Sequence, residues 1–312
     1  MRKMFYEIIY ISESGFQRKI IEHLISNIHP NKNYLWLDGK DGCFTDNYNN
    51  VYNIDLNHIK GIFKSIDAIA SFPKLSCDFL IGTHFTGVNC RFFEAFIKYK
   101  ELHLIDDGIG TPVILKNPNY YWNFPREIFK MNLVRLLVFG KKTRRLKTTK
   151  RLISTIAKYY TIYPSTHFYK NEIELDFLRF DYKLNNKVGF IGMPLVDYGM
   201  VTQEYFSKVL ISLISRYQKI YYYPDPNEKW IYNQNIEGLE MVEKNEPLET
   251  FLKTDGLPKK MYTFTSSALL NIKVADNKLD GYYIRIPNGG KVREYYYSIF
   301  NDFGLKEFRI ND

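Results

Sequence analysis

The chain has 312 residues, 45% of them hydrophobic and 25% charged. That composition excludes a disordered protein, and the length exceeds one ordinary small core, so two domains of roughly 150 residues are expected. A net charge of +9 points to an anionic partner, whether nucleotide, lipid surface, nucleic acid or acidic glycan. The apolar N-terminal run is interrupted by Glu7 and Glu13 too soon for a secretory signal, and no stretch approaches the roughly 18 apolar residues of a membrane span. Cys43, Cys77 and Cys90 match no zinc spacing and read as reduced thiols of a cytoplasmic protein. Most of the 26 tyrosines and 23 phenylalanines are expected in cores, although such rings also suit sugar and nucleotide faces.

In chain order, residues 6–12 (YEIIYIS) form a first strand. Ser14 then caps a helix with Phe16, Ile20, Ile21, Leu24 and Ile28 near helical spacing. Residues 34–38 make a second strand, 39–50 a loop, 51–56 a third strand and 58–72 a helix. A fourth strand, 78–84, ends in Gly-Thr-His; a helix follows over 88–99, then an apolar strand from Leu102 that stops at Asp106-Asp107-Gly108. Strands alternating with helices predict a parallel α/β sheet, without the G-x-G-x-x-G of a dinucleotide site.

Residues 113–170 break that rhythm, and they hold the basic run Lys141–Arg151 behind an apolar, basic helical segment at 128–139. Such a pairing suits either an anionic membrane surface or a solvated connector, with nucleic acid behind both. The alternation resumes near Asn186 with a strand at 188–194. A helix at 201–217 presents Phe206, Val209, Leu210, Leu213 and Ile214 on one face. A strand at 219–226, a short strand at 238–244 and a short helix at 248–254 follow. Residues 261–273 read as a strand entering a helix, with a last strand at 281–288 and a last helix at 291–304. The expected architecture is α/β: two Rossmann-like domains facing a cleft (GT-B), residues 1–160 and 161–312.

Three strand ends carry the candidate chemistry. The first is Asp106-Asp107-Gly108, where carboxylates at the end of a parallel strand face the ligand crevice and Gly108 permits a sharp turn. Asp-Gly is also an ordinary turn dipeptide. The second is Tyr223-Pro224-Asp225-Pro226, a rigid strand exit or a surface turn. The third is Thr265-Ser266-Ser267, where hydroxyls and free N–H groups at a helix start make a phosphate cradle or a plain N-cap. His84, at its strand end, is a candidate for orienting a substrate, and His103 is expected to pack. No metal motif is present, and adjacent carboxylates on a strand point oppositely, so a metal-independent reaction is expected.

The order of these motifs resembles bacterial sialyltransferases of the GT-B type, including glycosyltransferase family 52 and the polysialyltransferases. Those families place an acidic-acidic-Gly motif first, a His-Pro motif second and a Ser-Ser or Ser-Thr motif third. Here Asp225 stands where the family has histidine, before Pro226. An anionic side chain there would repel a departing phosphate, so either another residue supplies that function or the donor differs.

The resemblance implies inverting transfer of sialic acid, or a related nonulosonic acid, from its CMP-activated form to a hydroxyl of a capsule or lipopolysaccharide glycan. No other cofactor is implied, and the acceptor is expected to be lipid-linked. One of Asp106 and Asp107 would be the base and the other would brace the loop. Thr265, Ser266 and Ser267 would hold the phosphate, Gly192, Pro194 and Pro226 would border the donor, and His84 and Gly108 would lie on the acceptor side. The Lys141–Arg151 run would dock a cytoplasmic enzyme on the membrane. A UDP-hexose donor is the alternative suggested by Asp225, and a nucleic-acid binder is the remaining one.

Overall fold

The computed structural model describes the chain except residues 1–2, 13, 39–42, 47–50, 54–73, 84–93, 95–96, 107, 117–131, 133–135, 137–146, 148, 164–168, 170, 177–181, 245, 288–289 and 311–312. It divides into two units: Met1–Thr161 with Ser165–Leu175, and Ile162–Pro164 with Asp176–Asp312. Three residues after Thr161 belong to the second unit before the chain returns to the first, and it passes to the second for good at Asp176.

The first unit is built on strands β1 (Lys3–Ser12), β2 (Tyr34–Asp38), β3 (Cys43–Asp46), β4 (Val51–Asn53), β5 (Lys74–Gly82), β6 (Lys98–Ile105), β7 (Ile156–Thr161) and β8 (Glu172–Glu174). Among the described residues their order is β4-β3-β2-β1-β5-β6-β7-β8. β1 sits inside the sheet because consecutive residues Ile8, Ile9, Tyr10 and Ile11 are all buried, as a strand covered on both faces requires. It pairs in parallel with β2 and with β5. Ser14 does cap helix α1 (Gly15–His23), its Oγ accepting from the Gln17 N–H at 3.2 Å. Ile20, Ile21 and Leu24 are buried, but the last turn widens to a π-turn at Leu24–Ile28, and Ile28 is left 41% exposed.

Three expectations need correction here. Residues 39–50 are not all loop: β3 lies antiparallel between β2 and β4, with Leu37 opposite Phe44 and Phe44 opposite Tyr52. A parallel return needs a crossover of a dozen or more residues, and the chain between these strands is too short for one. Lys98 and Tyr99, expected in a helix over 88–99, pair instead with Ser76 and Cys77 in β5, and most of the rest of that stretch lies outside the described residues. The stretch 113–170 also holds helices α2 (Gly110–Lys116) and α3 (Thr149–Ile153), and β7 beside β6. The helix expected at 58–72 lies outside the described residues, as does most of 128–139.

The second unit holds β9 (Leu184–Ile191), α4 (Gln203–Tyr217), β10 (Ile220–Tyr223), β11 (Leu239–Met241), α5 (Leu248–Asp255), β12 (Leu257–Thr263), α6 (Ser267–Ala275), β13 (Asp280–Tyr283), α7 (Gly290–Asp302) and β14 (Lys306–Glu307). The two-residue β14 follows the helix expected to be last. The sheet order is β11-β10-β9-β12-β13-β14, and among the described residues its five pairings are parallel. Counted from β9 this is 3-2-1-4-5-6, the doubly wound order whose ligand crevice opens outside the carboxyl ends of strands 1 and 4.

Helix α4 follows its sequence pattern closely. Thr202 accepts from the Tyr205 N–H at 3.1 Å, and Phe206, Val209, Leu210 and Leu213 are fully buried. Much of the aromatic surplus lies in this core: Phe190 stacks on Tyr222 at 5.5 Å, and Phe206 meets both Trp230 at 4.9 Å and Phe264 at 4.8 Å. These rings hold β9, β10 and β12 against one helix.

In the first unit His103 does pack, stacked on Phe79 at 5.0 Å, and the His29 ring meets Tyr160 edge-on. Burial, aided by the neighbouring His103, Lys158 and Lys32, lowers His29 from 6.5 to about 4, and burial also lowers His103. Between those two values the unfolded chain binds the proton that the folded chain refuses. Stability is therefore present above about pH 6.5 and lost as the pH falls toward 4. Denaturant melts across that window should show this loss, and His29→Phe should flatten the slope relative to the parent protein.

Candidate active site

The C-terminal edges of β10, β9 and β12 are knitted together by hydrogen bonds. Gly192, just past β9, donates its N–H to the Tyr223 carbonyl at 2.8 Å, tying β9 to the end of β10. Across the other gap, the buried Thr263 hydroxyl donates to the Ile191 carbonyl at 3.0 Å, and the Thr265 N–H donates to Met193 Sδ at 3.2 Å. The structure thus brings Gly192, Pro194, Thr265 and Ser266 to adjoining strand ends at the switch point.

The start of α6 is built as the sequence suggests. Ser266 is the N-cap, its Oγ accepting from the Ala268 N–H at 3.3 Å, while its own N–H donates to Thr263 Oγ1 at 3.3 Å. Thr265 is buried, and Ser266 and Ser267 are half-buried. A capped helix start of this kind offers N–H groups and the positive end of the helix dipole to an anion.

Asp225 closes the turn after β10: its Oδ1 accepts from the Asn227 N–H at 2.8 Å and from the Asn227 amide at 3.2 Å. Pro226 is exposed, and the Pro224 carbonyl accepts from Lys244 Nζ at 2.6 Å. The carboxylate beneath this turn is Glu228, which is 2% exposed. It accepts from the Tyr222 hydroxyl at 2.6 Å, Trp230 Nε1 at 3.1 Å and the Asp225 N–H at 3.3 Å. Burial raises its pKa from 4.5 to about 7 against those hydrogen bonds, so near neutrality much of it is protonated. Gly192 is glycine for a steric reason, since a Cβ there would collide with Glu228 Oε2 and lie 2.7 Å from the Tyr222 hydroxyl.

Sequence reasoning missed two residues at this edge. Glu228 carried a weak signal, a carboxylate just beyond a Pro-Asp-Pro turn. The other is Arg293 of α7, which donates from Nη1 to Thr265 Oγ1 at 2.9 Å and from Nη2 to Met200 Sδ at 3.3 Å. Nothing in the local text marked it.

In the first unit Asp106 ends β6 and is fully buried, with the Tyr159 hydroxyl donating to its carboxylate. Gly108 has φ +58°, the left-handed value a turn-forming glycine supplies, and α2 begins two residues later. Asp107 and His84 lie outside the described residues. Among the described residues no three His, Cys, Asp or Glu side chains converge as a metal site would need.

Comparison with known proteins then decides the class. The model of glycosyltransferase family 52 matches residues 84–287. The chain belongs to glycosyltransferase family 52. Search of the curated proteins returns no match.

Among solved structures, this glycosyltransferase is similar to the α/β-galactoside α-2,3-sialyltransferase of Photobacterium phosphoreum, at TM-score 0.51 and 15% identity over 100% of both chains. A Vibrionaceae Photobacterium 2,6-sialyltransferase, solved with CMP and lactose, matches at TM-score 0.51 and 13% identity, over 96% of this chain and 78% of that one. The GT-B domain of a sialyltransferase from Photobacterium damselae matches at TM-score 0.50 and 12% identity, over 98% and 100%. The fold is therefore the GT-B fold of bacterial sialyltransferases.

Two outcomes follow from this geometry. Gly192→Ala should destabilise the second unit by about 1–3 kcal/mol, because the added methyl has no room without displacing a buried carboxyl group. Glu228 titrates high in the folded chain, so its contribution is present below about pH 4.5 and lost as the pH rises through about 7. Glu228→Gln should therefore gain stability relative to the parent as the pH rises through that window. Urea melts of both variants check this.

Proposed function

We propose that this glycosyltransferase is an inverting, metal-independent enzyme. It moves sialic acid, or a related nonulosonic acid, from a CMP-activated donor to a hydroxyl of a bacterial surface glycan. The observation that carries the reading is the switch point of the second unit, where the Ser266-capped start of α6 and the Gly192–Pro194 turn adjoin. An anionic nucleotide phosphate suits N–H groups and hydroxyls placed there. The CMP and lactose in the 2,6-sialyltransferase structure favour a cytidine donor and a sugar acceptor over other pairings.

The chemistry balances as follows. The acceptor oxygen attacks the anomeric carbon and gives its proton to a carboxylate. The bond from that carbon to the phosphate oxygen breaks, and its electron pair leaves with CMP. Asp106 is buried and engaged by Tyr159, so it takes the bracing role and Asp107 the role of base. Thr265, Ser266 and Ser267 receive the phosphate; Gly192, Pro194 and Pro226 border the donor, and His84 and Gly108 serve the acceptor. Asp225, engaged in its own turn, shapes the strand exit.

Lys150 and Arg151 are exposed on α3, which suits docking of the Lys141–Arg151 run on an anionic cytoplasmic membrane face near a lipid-linked acceptor. Among the described residues no helix is long and apolar enough to cross a membrane.

The test is release of CMP from CMP-sialic acid in the presence of a galactoside acceptor and EDTA. Activity should persist with the chelator. Asp107→Asn should lower kcat by roughly 10²–10⁴-fold in a protein that melts normally, the range for a general base. Full activity in that variant, or transfer only from UDP-hexoses, would contradict the reading.

A further inference from the structure

Arg285 and Arg293 differ in the company they keep. Arg285, just past β13, pairs with Glu294 at 2.6 Å and with Glu307 at 2.9 Å, and its charge is fully answered. Arg293 faces a hydroxyl and a thioether, with its guanidinium 5.5 Å from the Tyr296 ring centre. Glu294, its neighbour in the helix, is committed to Arg285. Among the described residues no carboxylate lies within ion-pair distance of Arg293.

The position makes this informative. Thr265, which Arg293 holds, precedes the N-cap of α6, so a full positive charge sits beside the positive end of a helix dipole. Like charges brought together are unfavourable unless an anion answers both. A guanidinium also carries five N–H donors in a planar fork, more than a hydroxyl and a thioether use. No side chain within the Pro-Asp-Pro turn is cationic, and Lys244 beside it donates to the Pro224 carbonyl at 2.6 Å.

We infer that Arg293 is the cation that receives the anionic group of the nucleotide-sugar donor at the β9–β12 switch point. This deepens the donor assignment made above and rests on it. On transfer the donor's phosphodiester becomes a phosphomonoester and gains one negative charge, so a fixed guanidinium favours the departing CMP more than the bound donor. The donor sugar bears a carboxylate of the same chemistry, and the experiment separates the two sources.

Thermal-shift titrations with cytidine, CMP, UDP and GDP, run on the parent, Arg293→Met and Arg293→Lys, make the test. CMP should stabilise the parent. Arg293→Met should weaken CMP by about 10-fold or more, as loss of a charge-assisted contact does, while leaving cytidine unchanged. Arg293→Lys should lie between. If CMP is unaffected but KM for CMP-sialic acid rises and Arg293→Lys restores it, the anion met is the sugar carboxylate, and the inference stands. Equal CMP affinity and equal KM in all three proteins would overturn it. If the parent binds UDP or GDP in place of CMP, the donor assignment falls, and Arg293 is judged on whether Arg293→Met weakens that nucleotide. A parent that binds no nucleotide refutes both.

Discussion

The second unit depends on one topological constraint. β9 and β12 are neighbours in the sheet, yet the chain leaves them in opposite directions, toward β10 on one side and β13 on the other. Right-handed crossovers moving in opposite directions lie on opposite faces. The two turns at these strand ends therefore diverge, and the doubly wound order puts its ligand crevice between them. Gly192–Pro194 and Thr265–Ser266 occupy that opening. The chemistry proposed for this glycosyltransferase follows from the order of strands before it follows from any side chain.

What makes the opening rigid is the packing beneath it. Phe190, Tyr222, Phe264, Phe206 and Trp230 form one aromatic layer under the three strand ends. Offset and edge-on ring pairs add to their area burial, so each strand end has a fixed height and direction. Glu228 extends that layer with a polar member, using Tyr222 and Trp230 as its donors. A buried carboxyl group is tolerated when its oxygens are answered, and it then specifies one geometry for the turn it supports. Gly192 is the position where that geometry leaves no room for a side chain. In the first unit the same role falls to Asp106 and Tyr159, which fix the end of β6 from below.

Much of this was legible in the text of the chain, and the failures have physical causes. The Ser14 cap and the apolar spacing of α4 were readable because cap and period are local properties. Ser266 was readable as the start of a helix for the same reason. β3 was hidden by the asparagines and glycines around it, since antiparallel pairing is chosen by the partner strand rather than by composition. β7 was hidden because the basic run before it broke the alternation, although Tyr159 and Tyr160 are buried as in any inner strand. β14 is two residues long and has no period to detect. Glu228 was faint and Arg293 invisible for a different reason: burial of a carboxylate and convergence of a distant helix on Thr265 exist only once the chain is folded. A carboxylate beyond a proline turn and an arginine in a surface helix look ordinary until then.

The central claim is that the nucleotide binds at the ends of β9 and β12. Hydrogen exchange of backbone amides, with and without saturating CMP, tests it most directly. The account predicts that exchange slows at Gly192 and Met193 and across Ser266–Ala268, with the strand ends of the first unit unchanged. Protection confined to β5 and β6 of the first unit, with the start of α6 exchanging as before, would contradict it.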